Sequence, residues 1–411
     1  MLGDHPEFDG IPSTGHSVPV DPNNASAGML NVTCGGAEFV CKGGNSMSLY
    51  DSHFKRPHSA KDAGEYPYGE QDDKYSGLTG ATTVSMHAFN ATQLPIKKAV
   101  SEHFGVFNRY YSSTPTASTP NHLYAQSATS CGLKDNELYN ACGGPTPNFP
   151  QMTIYDNLYL NNISFGIYYN STCGDDGNQT ECQQKWSGGS VYVGSPDLAM
   201  MGVARHVENF EGQETFYEQA SKGTLPNFVF FTPPDEACDH PCHDMSKGER
   251  LLKDVYEALR AGPNWSKTLF LIMYDDTGGW YDHVIPPSEG VPNDGAPCNI
   301  WKGANESGCG GFDFRRLGTR STAMVISPLI KAGRIIQEPK CSADQTVEYL
   351  LRPINMSFRS RSLPLILDLF MSNLFPGVGT ILSVLVARRW ANARGRSRPR
   401  LRRGLQPVVS P

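Results

Sequence analysis

The chain has 411 residues, a length that suits two small domains or one large α/β unit. Hydrophobic residues make up 39% and charged residues 18%, and no Gly triplet or heptad repeat is present, so disordered, collagen-like and coiled-coil chains are excluded. The formal net charge of −6 argues against a general nucleic-acid binder, and we expect no nucleic-acid partner.

The first half of the chain predicts few regular elements. Residues 1–80 are rich in Gly, Asn and Ser and predict extended loops. A helix is predicted over residues 94–104, where apolar residues recur at helical spacing behind Pro95. A second helix is predicted with Pro120 at its first position, and residues 153–169 predict a short helix followed by a strand.

The second half is more regular. Three short apolar runs predict buried strands, namely residues 227–232, 269–274 and 323–327. A helix between the first two is predicted from a capping box formed by Ser246 and Glu249, and Gly262 and Pro263 end it. Strand, helix and strand in this order predict a parallel βαβ unit and an α/β fold class, with a central, largely parallel sheet flanked by helices.

Cysteine and asparagine usage predicts an oxidising compartment. Nine Asn-x-Ser/Thr triplets exceed the roughly three expected by chance, although polar loops rich in Asn and Ser are the alternative. Residues 1–20 contain no apolar segment of signal-peptide type, so we expect a secreted or lumenal protein whose signal peptide is missing from the given sequence. Five local disulfides are predicted, with Cys341 left over: Cys34/Cys41, Cys131/Cys142, Cys173/Cys182, Cys238/Cys242 and Cys298/Cys309.

The last 60 residues differ from the rest in composition. Residues 352–411 hold eleven Arg, no Lys and one acidic residue, so we assign residues 341–411 to an atypical Arg-rich tail. Its segment 363–387 carries one charge and is long enough for a membrane span or anchor, although Pro364 and Pro376 weaken that interpretation. The alternative is a mispredicted exon or reading frame.

Paired carboxylates follow the second buried run. Asp275 and Asp276 come directly after residues 269–274, and ligands of open α/β sheets bind beyond the carboxyl ends of strands. Carboxylates converging there suit a hard divalent cation, whose identity the sequence does not specify. The alternative is an Asp-rich turn in which Asp275 only caps the next element.

Two further clusters could carry chemistry. His240 and His243 follow the first buried run and could contact an anion or protonate a leaving group, but they could also be plain surface histidines. Two nearby cysteines, Cys238 and Cys242, leave a zinc site open as a further alternative. Ser118 lies at a predicted helix start, where a nucleophile or anion is stabilised, although Ser and Thr are also ordinary N-caps.

Four stretches resemble a known family in order and spacing. They are similar to the phosphoesterase family that includes the phosphatidylcholine-hydrolysing and plant non-specific phospholipases C and a group of acid phosphatases. Together they span roughly residues 90–340, and we assign residues 1–340 to a phosphoesterase domain truncated at its N-terminus. The stretches are residues 93–130 with Ala-Ser-Thr-Pro-Asn-His, residues 239–260 with Asp-His-Pro-Cys-His-Asp, residues 274–284 with Tyr-Asp-Asp-Thr-Gly-Gly-Trp-Tyr-Asp-His-Val, and residues 316–333.

The resemblance implies metal-assisted phosphoester hydrolysis through a phospho-enzyme, on an alkaline-phosphatase-like fold with long, disulfide-bearing loops. It assigns the nucleophile to Ser118, with Thr119 as the fallback, and the divalent metal to Asp275 and Asp276. It also implies that three histidines bind phosphate oxygens or act as general acid: His240, His243 and His283.

The sequence departs from the family pattern in three places. Asp276 stands where the family usually has Glu, which shortens one ligand arm. The family's Glu-Asn metal signature precedes a segment like Met1–Gly3, and its closing His-Ser-Ser motif is not found beyond about residue 340. We therefore expect the chain as given to be inactive or nearly so, because a hard divalent ion needs about six ligands.

The most favoured activity is that of a phospholipase C, which would release diacylglycerol and a phosphorylated head group from a glycerophospholipid. A phospholipid or other phosphoester would be its substrate and a membrane surface its partner. Two alternatives stay open. One is an acid phosphatase acting on soluble phosphomonoesters, and the other is an inactive relative that binds phosphate or lipid.

Overall fold

The structure is a computed structural model and describes residues 2, 5–11, 14–19, 26, 28–39, 87–115, 118–133, 149–169, 200–234, 237–240, 243–276, 278, 282–294 and 314–337. The Arg-rich tail, with its apolar segment 363–387, lies outside these residues. So do eight of the eleven cysteines. Among the helices that the structure describes, none has the length and apolar character needed to cross a membrane.

Helices form where the sequence carries helical apolar spacing and suitable ends. Within the described residues the α-helices are α1 (Pro95–His103), α2 (Ser118–Ser127), α3 (Ile154–Leu160), α4 (Met201–Ala204), α5 (Gln213–Lys222) and α6 (Met245–Ala261). The prediction of α1 behind Pro95 is confirmed. Helix α2 begins two residues earlier than predicted, so Ser118 is its first residue rather than a residue before it.

The strands are short, with two to five residues each. They are β1 (Ser17–Pro19), β2 (Met29–Asn31), β3 (Thr33–Cys34), β4 (His87–Ala88), β5 (Gly105–Phe107), β6 (Phe165–Tyr169), β7 (Phe210–Gly212), β8 (Phe228–Phe231), β9 (Phe270–Met273), β10 (Ala323–Ile326) and β11 (Arg334–Ile336). The three predicted buried runs correspond to β8, β9 and β10. All four residues of β10 are buried, as its uninterrupted apolar sequence indicates.

The described strands form two larger sheets, and the α/β fold class is confirmed. One sheet is entirely parallel, in the order β7–β6–β8, and the other is mixed, in the order β11–β5–β10–β9. The predicted parallel βαβ unit is wrong, because β8 and β9 lie in different sheets and β9 pairs with β10 in antiparallel orientation. A continuous apolar run reports burial on both faces, but it does not encode the direction of the neighbouring strand.

A shared apolar core joins the two sheets. Phe231 of β8 lies in the same buried cluster as Phe270 of β9 and Met324 of β10. Helix α6 packs its predicted apolar face into this cluster, and each such fully buried side chain stabilises the fold by about 1.5–3 kcal/mol. The residues of that face are Leu252, Val255 and Leu259.

The predicted capping box of α6 is wrong. Asp244 is the N-cap, and its carboxylate accepts a hydrogen bond from the backbone N–H of Ser246 at 2.9 Å. Glu249 is buried and instead accepts hydrogen bonds from the backbone N–H groups of Ile96 and Lys97 in the first turn of α1. The carboxylate therefore caps a different helix, since tertiary packing offers it two unsatisfied N–H groups.

Three of the eleven cysteines lie within the described residues, so the structure tests few of the predicted disulfides. Cys34 is an exposed free thiol, which contradicts its predicted bond to Cys41. Cys131 is disulfide-bonded, and its predicted partner lies outside the described residues. The Cys173/Cys182 and Cys298/Cys309 predictions fall entirely outside them. Strand β3 presents Cys34 on a short, exposed ladder, so burial does not protect this thiol from solvent.

Candidate functional site

A cavity of about 640 Å³ lies where the carboxyl end of β9 meets the start of α2. Its wall includes Ser118, Asp275 and Asp276, three residues that the sequence assigned to the site. The wall also includes His240, which follows β8. The structure therefore brings together elements that are far apart in the chain, as expected at the carboxyl ends of strands.

The hydroxyl and the second carboxylate are in direct contact. Ser118 Oγ donates a hydrogen bond to Asp276 Oδ2 at 3.2 Å. The other oxygen of Asp276 accepts from the backbone N–H of Gly278 at 2.7 Å, so the carboxylate is fixed through both oxygens. Ser321 Oγ donates a hydrogen bond to the carbonyl oxygen of Asp276 at 2.7 Å and so holds the backbone just after β9. Thr119, the fallback nucleophile, is the next residue of α2 but does not line the cavity.

His122 is a site residue that the sequence analysis did not assign. Its Nε2 atom lies 3.3 Å from Asp275 Oδ2. Burial alone raises the pKa of the Asp275 carboxyl, but the His122 imidazole and the Ser118 hydroxyl outweigh burial and lower this pKa to about 2. The spacing from Ser118 to His122 is four residues, which places both on one face of a helix and could have identified the histidine.

The carboxylate pair has the donor chemistry of a divalent-cation site. Asp275 Oδ2 is buried, and apart from its charged contact with His122 it has no hydrogen bond of good geometry among the described residues. An incompletely satisfied carboxylate oxygen beside a second carboxylate is what a hard cation requires. Within the described ranges, however, no three His, Cys, Asp or Glu side chains are grouped to hold a metal. The pair therefore fits part of a ligand shell.

The three predicted histidines occupy different surroundings. His240 lines the cavity with Ser118, and its ring lies 5.4 Å from that of His243, centroid to centroid. His243 Nδ1 contacts Cys238 Sγ at 3.6 Å. These residues do not form a zinc cluster in the part of the chain that the structure describes, and Cys242 lies outside it. Of the three predicted histidines, His240 is thus the one that lines the cavity, as His122 also does.

His283 belongs to an ion-pair cluster at the cavity edge. Its Nδ1 lies 3.4 Å from Asp282 Oδ1, and its ring stands 5.6 Å from that of His16. Both oxygens of Asp282 accept hydrogen bonds from the Arg320 guanidinium, at 2.7 and 2.8 Å. Burial raises the pKa of Asp282, but this bidentate pair outweighs it and holds that pKa well below its ordinary value.

Arg320 was not predicted as a site residue, although it lies within one of the resembling stretches, residues 316–333. Besides pairing with Asp282, it donates to the backbone oxygens of Asn108 and Asp9, at 3.1 and 2.8 Å. Phe8, next to Asp9, lines the cavity and lies under the guanidinium at 5.8 Å. The arginine therefore fastens residues near the start of the chain to the cavity wall.

Comparisons with known proteins converge on one family. A family model described as the Phosphoesterase family matches residues 42–352. Non-specific phospholipase C3 of Arabidopsis thaliana is 31% identical over 359 residues, covering 82% of this chain and 61% of the relative. Non-specific phospholipase C4 of the same plant is 34% identical, covering 63% of this chain and 44% of the relative. The non-hemolytic phospholipase C of Burkholderia pseudomallei is 25% identical, covering 74% and 44%.

The chain spans about half the length of these relatives, between 44% and 61%. Among solved structures it is similar to a protein in the alkaline phosphatase superfamily from Vibrio parahaemolyticus. That match has a TM-score of 0.31 and 14% sequence identity, and it covers 60% of this chain and 56% of the other.

Proposed function

Because this chain belongs to the phosphoesterase family, we propose that it is a phospholipase C that hydrolyses glycerophospholipids to diacylglycerol and a phosphorylated head group. The observation that carries the proposal is the contact of Ser118 Oγ with Asp276 Oδ2 at 3.2 Å, beside Asp275 on the same cavity wall. A hydroxyl that is hydrogen-bonded beside paired carboxylates at a strand end is an arrangement suited to phosphoryl transfer. The names of the relatives support the choice of a phospholipid.

Ser118 is the nucleophile in the proposed mechanism. As Ser118 Oγ passes its proton to Asp276 Oδ2, it would form a bond to phosphorus while the bond from phosphorus to the diacylglycerol oxygen breaks. Ser118 would then carry the head-group phosphate as a diester, and water would hydrolyse this diester to release the phosphorylated head group. The contact with Asp276 fixes the direction of the hydroxyl proton and so leaves the lone pairs of Oγ facing the cavity. Ser118 is the first residue of α2, where backbone N–H groups stabilise negative charge.

His240 is the proposed general acid. It lines the cavity with Ser118, so its imidazole could deliver a proton to the departing diacylglycerol oxygen, which leaves as an alkoxide without one. His122 keeps Asp275 oriented and ionised, since its imidazole contacts the carboxylate at 3.3 Å. Asp282 and Arg320 hold the adjoining wall in place.

A divalent metal ion is part of the proposal, with Asp275 and Asp276 as the ligands that this chain supplies. When bound, such an ion would polarise the phosphoryl oxygens and offset the charge of the attacking oxygen. The buried, incompletely satisfied Oδ2 of Asp275 supports this assignment. An Asp at position 276 has a shorter side chain than a Glu, so this ligand would have less reach.

The test measures two products from the full-length protein. Diacylglycerol release from phosphatidylcholine vesicles and phenol release from a chromogenic phosphomonoester are recorded with added divalent metal and after chelation. We expect diacylglycerol release that chelation abolishes and that Asp276→Asn lowers, while the control Asp254→Asn, an exposed carboxylate on α6, has no effect. Hydrolysis of only the monoester would favour a phosphatase, and vesicle binding without hydrolysis would favour an inactive lipid-binding relative.

A secreted or lumenal location is also proposed, together with action at a membrane surface. Asn162 begins one of the nine glycosylation triplets and lies in an exposed turn after α3, where a glycosyltransferase could reach it. The disulfide at Cys131 supports an oxidising compartment. Treatment of the protein from its native source with an N-glycosidase should lower its mass, and an unchanged mass would oppose the proposal.

A further inference from the structure

A buried charge network forms part of the cavity wall. Lys97 Nζ contacts Asp239 Oδ2 at 2.9 Å and Glu249 Oε1 at 3.0 Å. The side chains are only 6%, 6% and 7% exposed, so solvent screens these contacts weakly. The Tyr274 hydroxyl donates a further hydrogen bond to Asp239 Oδ2. One lysine therefore balances two buried carboxylates drawn from separate parts of the chain.

Lys97 is not placed to bind substrate. Although it lines the cavity, its ammonium group is held between two carboxylates, which leaves at most one of its three N–H donors for a ligand. A buried ion of this kind is retained only where it is paired, and removing it would leave two carboxylates uncompensated. Its effect on chemistry must therefore pass through the groups that it holds.

Asp239 joins this network to the proposed catalytic groups. It directly precedes His240, and its backbone has a φ of +62°, a left-handed conformation that a non-glycine residue keeps only when its surroundings hold it. Its Oδ1 has no hydrogen-bond partner among the described residues, so Lys97 and Tyr274 anchor the carboxylate through Oδ2 alone. Tyr274 in turn directly precedes Asp275.

The other carboxylate ties the same lysine to the helix framework. Glu249, on α6, accepts hydrogen bonds from the backbone N–H groups of Ile96 and Lys97 at 2.7 and 3.2 Å. Lys97 is therefore fixed at its backbone and at its ammonium group by one carboxylate. That double attachment makes α1 and α6 a rigid support, against which the segment carrying Asp239 and His240 is held.

We infer that Lys97 is a positioning residue: by holding Asp239 against Tyr274, it fixes His240 in register with the Ser118 and Asp275 side of the cavity. The expected effect of Lys97 on turnover rests on the proposed function. Its expected effect on the segment that carries Asp239 and His240 does not. It follows from the contacts of Lys97 and from the places of Asp239 and Tyr274 in the sequence, each next to a proposed site residue.

The experiment separates positioning from stability. Lys97→Met removes the positive charge and keeps a side chain of similar size. The double variant, Lys97→Met with Glu249→Gln, restores the net charge of the network, and its Gln keeps an oxygen that accepts from the Ile96 N–H. The control is Lys98→Met, the next residue on α1, whose side chain is 40% exposed and pairs with Glu102 across one turn. Each variant is assayed for thermal unfolding, kcat and KM on phosphatidylcholine, and hydrogen exchange of the peptide covering residues 237–244.

We expect the double variant to unfold near the wild-type temperature, with kcat lowered about 30-fold or more, KM changed less than about threefold, and exchange of residues 237–244 accelerated about tenfold or more. Lys97→Arg, which keeps the charge, should recover part of kcat. The Lys98→Met control should match wild type throughout.

Wild-type kcat and wild-type exchange in the folded double variant would overturn the inference, because the lysine would then serve charge balance alone. Failure of the full-length wild-type protein to hydrolyse any phosphoester with added divalent metal would overturn the proposed function instead. In that event the exchange measurement still decides the inference, since accelerated exchange supports the positioning role and unchanged exchange refutes it.

Discussion

His122 Nε2 lies 3.3 Å from Asp275 Oδ2, so an imidazole from the first turns of α2 contacts the first carboxylate after β9. Ser118, one turn earlier on the same helix, contacts the second carboxylate, Asp276. The two contacts join two residues that lie one turn apart on α2 to the two successive carboxylates that follow β9. The start of α2 and the segment after β9 are therefore held together. A displacement of either one should change the position of both carboxylates.

Replacing Ser118 with Ala should remove turnover. Loss of the nucleophile leaves the carboxylates and the cavity intact, so kcat for a chromogenic phosphodiester should fall by at least about 10³-fold while the thermal midpoint changes little. The matched control is Thr119→Ala at the next position of α2. Loss of activity in the Thr119 variant with retention in the Ser118 variant would move the nucleophile by one residue.

Replacing His122 with Gln should lower the activity without abolishing it. Gln cannot supply the imidazole contact to Asp275, so kcat/KM should fall by about 10–100-fold, the usual cost of losing a group that orients a ligand. His103→Gln, at the exposed end of α1, is the control and should leave kcat/KM unchanged. Equal rates for both variants would show that Asp275 needs no help from the imidazole.

Replacing Gly248 with Ala should destabilise the protein, although Ala normally stabilises a helix interior by about 1 kcal/mol relative to Gly. An added Cβ would lie 1.8 Å from Asp239 Oδ1, and Lys97 and Tyr274 prevent that carboxylate from moving away. Overpacking of this kind costs about 1–3 kcal/mol in the free energy of unfolding, measured by urea titration. Lys247→Ala, at an exposed neighbouring position, should stay within about 0.5 kcal/mol. A more stable Gly248→Ala protein would mean that Asp239 is loosely held.

Asp156 should make stability depend on pH. Burial raises its pKa, but hydrogen bonds from the Arg205 guanidinium, the Thr153 N–H and His206 outweigh burial and lower that pKa below its ordinary value. The folded state therefore binds this proton less tightly than the unfolded state. The resulting stabilisation is complete above the unfolded pKa of about 4 and is lost as the pH falls through the folded pKa.

The measurement compares wild type with Asp156→Asn by urea unfolding at a series of pH values. Asp156→Asn should lower the free energy of unfolding by about 2 kcal/mol near neutral pH, and this deficit should shrink below about pH 4. Asp254→Asn, an exposed carboxylate on α6, should change the free energy by less than about 0.5 kcal/mol. A deficit that stays constant down to pH 3 would contradict the linkage.

Part of the fold could be predicted because it depends on local sequence. The start of α1 at Pro95 follows from the fixed φ of proline, and the apolar face of α6 follows from the spacing of its leucines and valine. Three strands followed from uninterrupted apolar runs, although within β9 only Phe270 is fully buried. Their pairing could not be predicted, since direction and partner depend on where distant segments pack.

The candidate site shows the same division. The sequence pointed to Ser118, Asp275, Asp276 and His240, because hydroxyl, carboxylate and imidazole groups at element ends are few and chemically distinct. It did not point to Lys97 or Glu249, since a lysine on a helix and a glutamate at a helix start have common local explanations.

The sequence by itself determined which residues could do chemistry and which segments are helical or extended, because side-chain type and apolar periodicity act over a few residues. Only the tertiary structure decided their partners. It placed Ser118 against Asp276 and His122 against Asp275, and it turned Glu249 from a predicted cap of its own helix into a partner of Lys97. These contacts bridge more than 150 residues, and the buried groups in them must find opposite charges or hydrogen-bond partners wherever the packed core supplies them.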